Sequence, residues 1–406
     1  MKPKILIIGA GFAGVACAKK LYEHIGKEAT ITLVSKTSHF ELHATFYKVL
    51  SECSPAQACI PLEKIFIHTH VNVVTDTITQ LNTDLNIATG EQGDKYPFDY
   101  AVIALGSEPT YFGIPGASNF SHTLANIQEA IRLSKHIHDQ IIEKSESKDE
   151  STSEIVVIGG GPTGVEVAGE LAQHIHKLTD GSPHVHIRLV EALDRILNNI
   201  PLQDAQKIQA RLEQLGVQVQ TNTKVEQETP NALILNGTPI PTPTVIWTAG
   251  VKANHLYAEW GLSTAKNGRV LVNKYLQTEE NENIFIAGDG AQVEGSGTAW
   301  PAIAQGSITA TNIANKIKNH SLQEYQAQSY PFFVPVGSDW SYAVLKHITL
   351  WGIFGWYARQ RNLLELLTKM LPYNEALQVL KSQNEICSIC QTYTDELDQK
   401  STKKYN

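Results

Sequence analysis

Ile5-Leu6-Ile7-Ile8-Gly9-Ala10-Gly11-Phe12-Ala13-Gly14 has a second version at Ile155-Val156-Val157-Ile158-Gly159-Gly160-Gly161-Pro162-Thr163-Gly164. In both, an apolar run rich in β-branched residues precedes a G-x-G-x-x-G turn, and a helix-like stretch follows the turn. The apolar run predicts a buried parallel strand. The turn glycines let the backbone approach a pyrophosphate, whose negative charge is received by the helix N-terminus. Two such units predict two bound dinucleotides, which a protein usually holds together so that electrons can pass between them.

Length and composition limit the classes of protein to which this chain can belong. Its 406 residues can form two or three domains, and its 42% apolar and 18% charged residues are typical of a globular protein. The net charge of −8 provides no basis for binding nucleic acid, so no nucleic-acid partner is expected. No apolar run reaches the roughly 18 residues of a spanning helix, and the first strand starts too early to leave room for a signal peptide. Five cysteines in such a chain argue against a disulfide framework.

Local patterns predict further strands and helices around the two fingerprints. Alternating residues at 71–79 and 85–89 predict antiparallel strands, and the polar run at 143–152 predicts a solvated linker. Three further buried strands are predicted, each running into a glycine: residues 98–106, 245–250 and 284–289, the last ending in Gly288-Asp289. The remaining predicted elements are strands at 29–34 and 185–191 and helices at 125–143 and 202–215.

The order of the motifs resembles the two-dinucleotide flavoprotein family that includes glutathione reductase. Between the two fingerprints a strand ends in Ala104-Leu105-Gly106, and after the second comes Gly288-Asp289. The resemblance implies that the first loop holds FAD, that the second holds NADH, and that Asp289 accepts hydrogen bonds from the ribityl chain. The residues implied to hold FAD are Gly9, Gly11, Phe12, Ala13, Gly14, Ser35, Lys36, Ala104, Gly106, Asp289 and Ala304; those implied to hold NADH are Gly159, Gly161, Pro162, Thr163, Gly164, Glu191 and Gly250.

The same resemblance implies an α/β fold with two doubly wound, Rossmann-like domains, the second inserted in the first. The FAD-binding domain is expected to comprise residues 1–120 and 265–325, and the NADH-binding domain residues 121–264. Residues 326–406 are expected to form a small C-terminal membrane or dimer region.

The two units differ at the position that usually recognises the adenosine ribose, an acid roughly 20 residues past the loop. The first unit reads Val34-Ser35-Lys36, so Ser35 or Lys36 would have to contact the ribose or a phosphate there. The second unit has Glu191, which accepts ribose hydroxyls and repels a 2′-phosphate, and this favours NADH over NADPH. Arg195 is a counter-signal that we interpret as a surface helix residue.

The cysteines do not match the catalytic pair of the disulfide reductases in this family. Those enzymes carry C-x-x-x-x-C beside the flavin, whereas Cys53 and Cys59 are one residue further apart and are interpreted as ordinary, partly buried thiols. Cys387 and Cys390 form a C-x-x-C with no second pair for zinc, so structural thiols are favoured over a redox-sensitive clip. Sulfide:quinone reductases need cysteines in residues 60–386, where this chain has none. Catalysis is therefore expected to need no cysteine.

Residues 159–171, 246–251 and 288–306 resemble more specifically the type II NADH dehydrogenases, the single-chain NADH:quinone oxidoreductases. In those enzymes a glutamate after Thr-Gly-Val lies near the nicotinamide and the flavin, which implies this role for Glu166. An Ala-Gln pair at the start of a helix under the flavin lines their quinone site, and Ala304-Gln305 match it. The helix is expected to begin near Ala302, where its free N–H groups can stabilise a reduced flavin.

Several charged side chains have simpler interpretations. Glu166 and Glu170 lie four residues apart and share a helix face, and a carboxylate near a helix N-terminus can be stabilised by the dipole alone. We favour that interpretation for Glu170 and a catalytic role for Glu166. Among the fifteen histidines, the H-x-H pairs His68/His70, His174/His176 and His184/His186 have no further ligands nearby in sequence, so no metal site is predicted.

Residues 348–371 are rich in apolar side chains but are interrupted by Arg359 and Arg361, so they are too short to span a membrane. Trp340, Trp351 and Trp356 fall in or near this stretch. Tryptophan beside arginine suits an interfacial helix, whereas a core or homodimer-interface helix is the alternative. We favour membrane association, because a quinone is soluble in lipid.

These patterns favour a peripheral flavoprotein on the cytoplasmic side of the cell membrane that transfers hydride from NADH to FAD and electrons to a membrane quinone. Proton pumping is not expected. A soluble NADH-dependent flavin reductase, using oxygen or an iron–sulfur protein as acceptor, is the second hypothesis. A third is an NADH-sensing flavoprotein without turnover.

Overall fold

The structure is a computed structural model that describes residues 2–51, 55, 58–146, 153–178, 185–242 and 244–381. The predictions for Cys53, Cys387 and Cys390 lie outside the described residues. So do residues 147–152 of the predicted linker, whereas residues 143–146 form the last turn of a helix.

The strands are, in chain order, β1 (Lys4–Ile8), β2 (Thr30–Ser35), β3 (His39–Glu41), β4 (Cys59–Pro61), β5 (Asn72–Thr75), β6 (Ile78–Asn82), β7 (Ile87–Gly90), β8 (Lys95–Pro97), β9 (Tyr100–Ile103), β10 (Ser107–Pro109), β11 (Ser153–Ile158), β12 (Val185–Val190), β13 (Val217–Gln220), β14 (Val225–Thr229), β15 (Ala232–Leu235), β16 (Thr238–Pro241), β17 (Thr244–Trp247), β18 (Val251–Ala253), β19 (Ile284–Ile286), β20 (Phe332–Pro335), β21 (Ser341–Leu345) and β22 (Ile348–Leu350).

The α-helices are α1 (Phe12–Ile25), α2 (Phe46–Val49), α3 (Leu62–Phe66), α4 (Ala117–Phe120), α5 (Ile127–Glu146), α6 (Pro162–Leu178), α7 (Leu202–Gln214), α8 (Leu256–Glu259), α9 (Ala299–Ile317), α10 (Gly352–Met370) and α11 (Tyr373–Lys381). A 3₁₀ turn at His43–Thr45 precedes α2.

The first fingerprint begins the central strand of a five-stranded sheet with the order β19-β9-β1-β2-β5. All of its strand pairs are parallel. Ile5 and Ile7 enter one hydrophobic core, and Leu6 and Ile8 enter the core on the opposite face. Because successive side chains of a strand point to opposite faces, a strand buried on both sides needs an unbroken apolar run.

The edge strand β19 shows how the two units are connected. It follows the second unit in sequence, yet it pairs with β9 of the first sheet, with Ile284 opposite Ala101. The second unit is therefore inserted in the first, as predicted.

The second fingerprint begins a four-stranded parallel sheet with the order β13-β12-β11-β17. A pair of short antiparallel strands, β10 and β18, connects this unit to the first. Three-stranded antiparallel sheets, β6-β7-β8 and β14-β15-β16, complete the two units.

One strand prediction was wrong in part. Residues 71–79 form two strands, of which β5 pairs in parallel with β2 and only β6 pairs antiparallel with β7. Alternation of polar and apolar residues shows that a strand has one buried face, but it does not identify the neighbouring strand.

The C-terminal region is a three-stranded antiparallel sheet, β20-β21-β22, followed by α10 and α11. Leu363, Leu366 and Met370 of α10 enter the core of the first unit, whereas Tyr342 of β21 enters that of the second. Each such leucine contributes on the order of 2 kcal/mol by burial. No helix among the described residues is long and apolar enough to cross a membrane.

Candidate functional site

The first glycine loop brings helix α1 into direct contact with the end of β1. Gly9 has a φ of +103°, and its N–H donates to the carbonyl of Val34 at 2.8 Å. A Cβ on Gly9 would lie 2.4 Å from the carbonyl oxygen of Ala104, and one on Gly14 would lie 1.9 Å from that of Gly9. Glycine is therefore required at both positions.

The second loop repeats this construction. The N–H of Gly159 donates to the carbonyl of Val190 at 2.8 Å, and Gly159 has a φ of +108°. A Cβ on Gly164 would lie 1.9 Å from the carbonyl oxygen of Gly159. The two loops thus place α1 and α6 on their strands in the same way.

The middle glycine of each loop faces open space instead of protein. No atom lies within 4 Å of the position that a Cβ would take at Gly11 or at Gly161. Both residues sit immediately before or at the start of a helix, where unpaired N–H groups attract an anion. The residues present therefore fit a pyrophosphate at each loop.

Glu191 lies directly after β12 and is held in place by the second loop. One of its carboxylate oxygens accepts the N–H of Gly160 at 2.7 Å, and the other accepts that of Leu193 at 2.8 Å. The carboxylate is therefore oriented at the end of the strand before any nucleotide binds. Each oxygen retains a lone pair that can accept a ribose hydroxyl.

Arg195 lies in the loop between β12 and α7, not on a helix as predicted, and it does not counter this arrangement. Its guanidinium donates to the carbonyl oxygens of Leu197, Asn198 and Ile200. Because the guanidinium is hydrogen-bonded to backbone carbonyls of its own loop, Arg195 is not positioned to bind a 2′-phosphate.

The end of β2 is different, because no acid stands there. Ser35 is buried, and its hydroxyl accepts a long hydrogen bond of 3.4 Å from the N–H of Thr37. Lys36 is exposed.

Phe12, at the start of α1, packs edge-to-face against Phe40, with the two ring centres 5.0 Å apart.

Asp289 and the loop after β9 meet at the edge of the first sheet. The hydroxyl of Ser107 donates to Asp289 at 3.0 Å. Gly288 has a φ of +84°, and a Cβ there would lie 3.2 Å from that of Ala13 and 3.9 Å from that of Ala302. This turn therefore lies between the helix of the first loop and α9.

Gln305 occupies a different place from the one predicted. Helix α9 begins at Ala299, not near Ala302, so Gln305 lies in its second turn and is fully buried. Its side-chain oxygen accepts the N–H of Gly288 at 2.7 Å, and its NH₂ donates to Ser296 at 3.1 Å. Gln305 thus fixes the turn that carries Asp289. Trp300 is the partly exposed residue at the start of the helix, where its indole N–H donates to Asn362 at 3.0 Å.

Glu166 faces the C-terminal region. Desolvation raises the pKa of Glu166 to about 8 although part of the residue stays exposed, and the charge of Arg359 acts in the opposite direction. Arg359 is 5% exposed, donates to the carbonyl of Ala44 at 3.0 Å, and lies 5.4 Å from the centre of the Tyr47 ring. Glu166 and Gln305 have separate partners and do not form one group.

Glu170 is more than a helix-dipole residue. It is buried, and one carboxylate oxygen accepts the hydroxyl of Ser51 at 2.6 Å. Its other oxygen and the Nη1 atom of Arg359 have no hydrogen-bond partner among the described residues. Buried polar atoms without partners are costly and commonly mark functional sites.

The other predicted residues are distributed around the two loops. Ala13 touches both Gly288 and Gly306, Gly106 has a φ of +72°, and Ala304 is partly exposed on α9. Pro162 begins α6, Thr163 beside it is exposed, and the carbonyl of Gly250 accepts the N–H of Thr110 at 3.1 Å.

Sequence reasoning missed Arg359, Ser107 and Asn362 as members of the site. Arg359 was noticed only as an interruption of an apolar stretch. In the described part of the chain, no group of histidines, cysteines and acids could hold a metal. Cys17 and Cys59 are both buried, and burial raises the pKa of the Cys17 thiol.

Comparison with known proteins agrees with this geometry. A family profile described as pyridine nucleotide-disulphide oxidoreductase matches residues 3–309. Two curated proteins named type II NADH:quinone oxidoreductase are similar in sequence to this chain. The one from Staphylococcus saprophyticus is 28% identical to it and the one from Staphylococcus aureus 29%, in each case over 344 residues. These alignments cover 80% of this chain and 85% of each relative.

Two solved structures share the fold. NDH2 from Plasmodium falciparum in complex with NADH has a TM-score of 0.81 at 17% identity, covering 93% of this chain and 97% of that one. The sulfide:quinone oxidoreductase of Aquifex aeolicus has a TM-score of 0.76 at 18% identity, covering 96% and 98%. At these identities the likeness concerns the fold alone.

The open middle glycines allow the two loops to be tested separately. Gly11 has a φ of −77° and space for a side chain, so Gly11→Val should fold but block the pyrophosphate of FAD. We expect it to purify colourless. Gly161→Val should purify yellow and fail to be reduced by NADH. Flavin absorbance and far-UV circular dichroism check both, and a folded Gly11→Val protein with full flavin would contradict the assignment.

Glu191 should make the protein prefer NADH to NADPH. A carboxylate in contact with a 2′-phosphate costs on the order of a few kcal/mol at intermediate dielectric. Glu191→Gln removes the charge and can still accept one backbone N–H, so we expect the ratio of kcat/KM values to fall by at least about tenfold. Glu213→Gln on α7 is the control. Equal kcat/KM values for the two nucleotides in the unmutated protein would refute the role of Glu191.

Proposed function

We propose that this chain, which belongs to the pyridine nucleotide-disulphide oxidoreductase family, is an NADH:quinone oxidoreductase that uses FAD and pumps no protons. The observation that carries this proposal is the pair of equivalent loops, each with an open middle glycine, connected by β10 and β18. The similarity to proteins named type II NADH:quinone oxidoreductase supports it.

The first loop and Asp289 hold FAD, with Ser35 and Lys36 in place of a ribose-binding acid. The second loop holds the pyrophosphate of NADH, and Glu191 holds its adenosine ribose. When bound, FAD supplies the two-electron chemistry that connects NADH oxidation to quinone reduction. Gln305 acts as a positioning residue, because it holds the turn that presents Asp289.

Glu166 is the residue best suited to supply a proton. Reduction of a quinone to a quinol takes up two protons as well as two electrons. With its pKa raised to about 8, the Glu166 carboxyl is largely protonated at neutral pH. The guanidinium of Arg359 can stabilise the carboxylate that remains after the proton has left. Glu170, one turn further along α6, accepts a hydrogen bond from the hydroxyl of Ser51.

The route for a lipid-soluble substrate is assigned to α10. Its first turns expose Ile353, Phe354 and Tyr357, and Ile348 of β22 is exposed near them in sequence; we call these four residues the apolar end of α10. Exposed basic residues in the adjoining sequence are Lys346, His347 and Arg361. Apolar side chains beside basic ones suit a surface of anionic lipid. Because Arg359 lies on the same helix, α10 extends from this surface towards Glu166.

Trp340 and Trp351 of the predicted tryptophan cluster do not form this surface, whereas the ring of Trp356 lies 5.0 Å from that of Tyr357 in the apolar end. Trp351 packs against Tyr342 at 4.7 Å and Trp340 at 5.8 Å, and the ammonium of Lys207 lies over its ring. Trp351 is therefore partly buried where the C-terminal region meets the second unit. The apolar end of α10 supports attachment to a membrane surface, and the cytoplasmic side and the homodimer stay predictions.

The proposal is tested by reducing the protein with NADH without oxygen and then mixing it with quinone or with oxygen. We expect fast reoxidation by quinone, slowing above pH about 8 as Glu166 loses its proton. Glu166→Gln cannot donate a proton, so its reoxidation should be on the order of a hundredfold slower and should lose this pH dependence. Reduction by NADH should be retained.

Glu259→Gln, at an exposed position on α8, is the matched control. Oxygen reacting as fast as quinone would favour a soluble flavin reductase. Slow reoxidation by both would favour the NADH sensor. An unchanged pH profile in the Glu166→Gln variant would remove that residue from the mechanism.

Membrane attachment is tested at the apolar end of α10. Phe354 and Tyr357 are 71% and 62% exposed, so Phe354→Ser with Tyr357→Ser should not disturb the core. Losing two interfacial aromatic rings should weaken binding to anionic liposomes by about a hundredfold. Turnover with long-chain quinones should fall much more than turnover with small soluble acceptors.

The control is Ile67→Ser with Leu85→Ser, since these side chains are 65% and 68% exposed on the first unit. Liposome sedimentation compares the two variants. If both bind like the unmutated protein, the apolar end of α10 has no part in membrane attachment.

A further inference from the structure

Phe112 is in an unusual state for an aromatic residue. Its backbone is left-handed, with a φ of +51°, and its side chain is 67% exposed. A bulky side chain in this region is disfavoured, and such strain persists only where the surroundings enforce it. Most large exposed side chains need no explanation, but this one is both exposed and strained.

The surroundings hold Phe112 against the end of β17. Thr110 donates its N–H to the carbonyl of Gly250 at 3.1 Å and accepts the indole N–H of Trp247 at 2.8 Å. The rings of Tyr111 and Trp247 lie 5.5 Å apart. Atom Cζ of Phe112 lies 3.2 Å from the position that a Cβ would take at Gly250. The ring therefore stands beside Gly250 in a firmly attached loop.

The strand order tells which half of a dinucleotide would meet this ring. In the sheet order β13-β12-β11-β17, the pyrophosphate loop follows β11 and Glu191 follows β12. Since Glu191 takes the adenosine ribose on one side of the loop, the nicotinamide half must extend to the other side, over the end of β17. Gly250 and Phe112 lie on that side.

The same segment also reaches the other cofactor site. It begins at Ser107, which donates to Asp289 in the first unit, and reaches Gly250 in the second unit through Phe112. The segment thus spans the space in which a nicotinamide would have to approach a flavin.

We propose that Phe112 is the aromatic wall against which the nicotinamide end of NADH rests, an inference that depends on the proposed function. The nicotinamide ring is flat and weakly polar, and contact with an aromatic ring is favourable beyond the area it buries. Because hydrogen bonds of the neighbouring Thr110 hold the backbone at this point, little backbone entropy is lost when the ring is covered. Phe112 is therefore a binding and positioning residue for NADH, whereas Glu191 determines the preference for NADH over NADPH.

The test compares the binding of NAD⁺ with that of ADP-ribose, which lacks only the nicotinamide ring. Phe112→Asn removes the ring and tolerates the left-handed backbone, and Phe112→Tyr keeps the ring. Calorimetry on the full chain loaded with FAD should give a Kd for NAD⁺ that is about tenfold weaker in Phe112→Asn. The Kd for ADP-ribose, which lacks nicotinamide, should change by less than about twofold. Phe112→Tyr should restore most of the affinity for NAD⁺.

Leu85→Asn, an equally exposed apolar position in the turn between β6 and β7, is the control and should change neither Kd. The proposal is overturned if Phe112→Asn binds NAD⁺ as well as the unmutated protein, or if it loses ADP-ribose to the same extent. Either result leaves the proposed function intact, provided that NADH still reduces the flavin of the unmutated protein. Absence of that reduction would remove both proposals.

Discussion

The structure depends on one repeated close approach, in which the sixth residue of a G-x-G-x-x-G turn meets the carbonyl of the first. Gly14 comes within contact of the Gly9 carbonyl, and Gly164 does the same with that of Gly159. No side chain fits between them, so the helix starts directly over the end of its strand. The free N–H groups of the first helical turn are then directed at the space beyond the sheet. Two cradles for pyrophosphate follow from this contact, and the positions of Glu191 and Asp289 follow from the strands beside them.

The C-terminal region packs against both nucleotide-binding units and thereby connects them. Its β21 packs with the second unit, its α10 with the first, and Arg359 enters between α2 and α6. An arginine that is nearly inaccessible to solvent must be paired or hydrogen-bonded to be tolerated. The carbonyl of Ala44 and the Tyr47 ring satisfy part of this need, and the charge of Glu166 provides the remainder once that group ionises. The charge of Arg359 therefore offsets part of the cost of ionising Glu166, and desolvation still keeps the pKa of that carboxyl raised.

The sequence was sufficient to predict the two loops, the parallel strands before them and the insertion of one unit in the other, because these depend on local glycine geometry and on motif order. It was insufficient where the outcome depends on distant residues. The partner of β5 is β2, from which it is separated by some forty intervening positions between Thr32 and Asn72. Gln305 was placed at a helix start because its neighbours resemble a known pair, but α9 begins six residues earlier, at Ala299. Trp351 is close to arginines in sequence, and only its packing against Tyr342 and Lys207 shows that it faces the second unit.

The insertion of the second unit has a consequence for the order in which the chain folds. All strands of the second sheet are present once residue 247 has been synthesised. The first sheet must wait for β19, whose residue 284 pairs with residue 101. Closing so long a loop is slow, and chains fold from the N-terminus as they are made. The sheet of the later unit can therefore be complete while the sheet of the earlier one still exposes the edge of β9, although the core of the later unit still awaits Tyr342 of β21. During that interval β9 is the strand most open to wrong pairing.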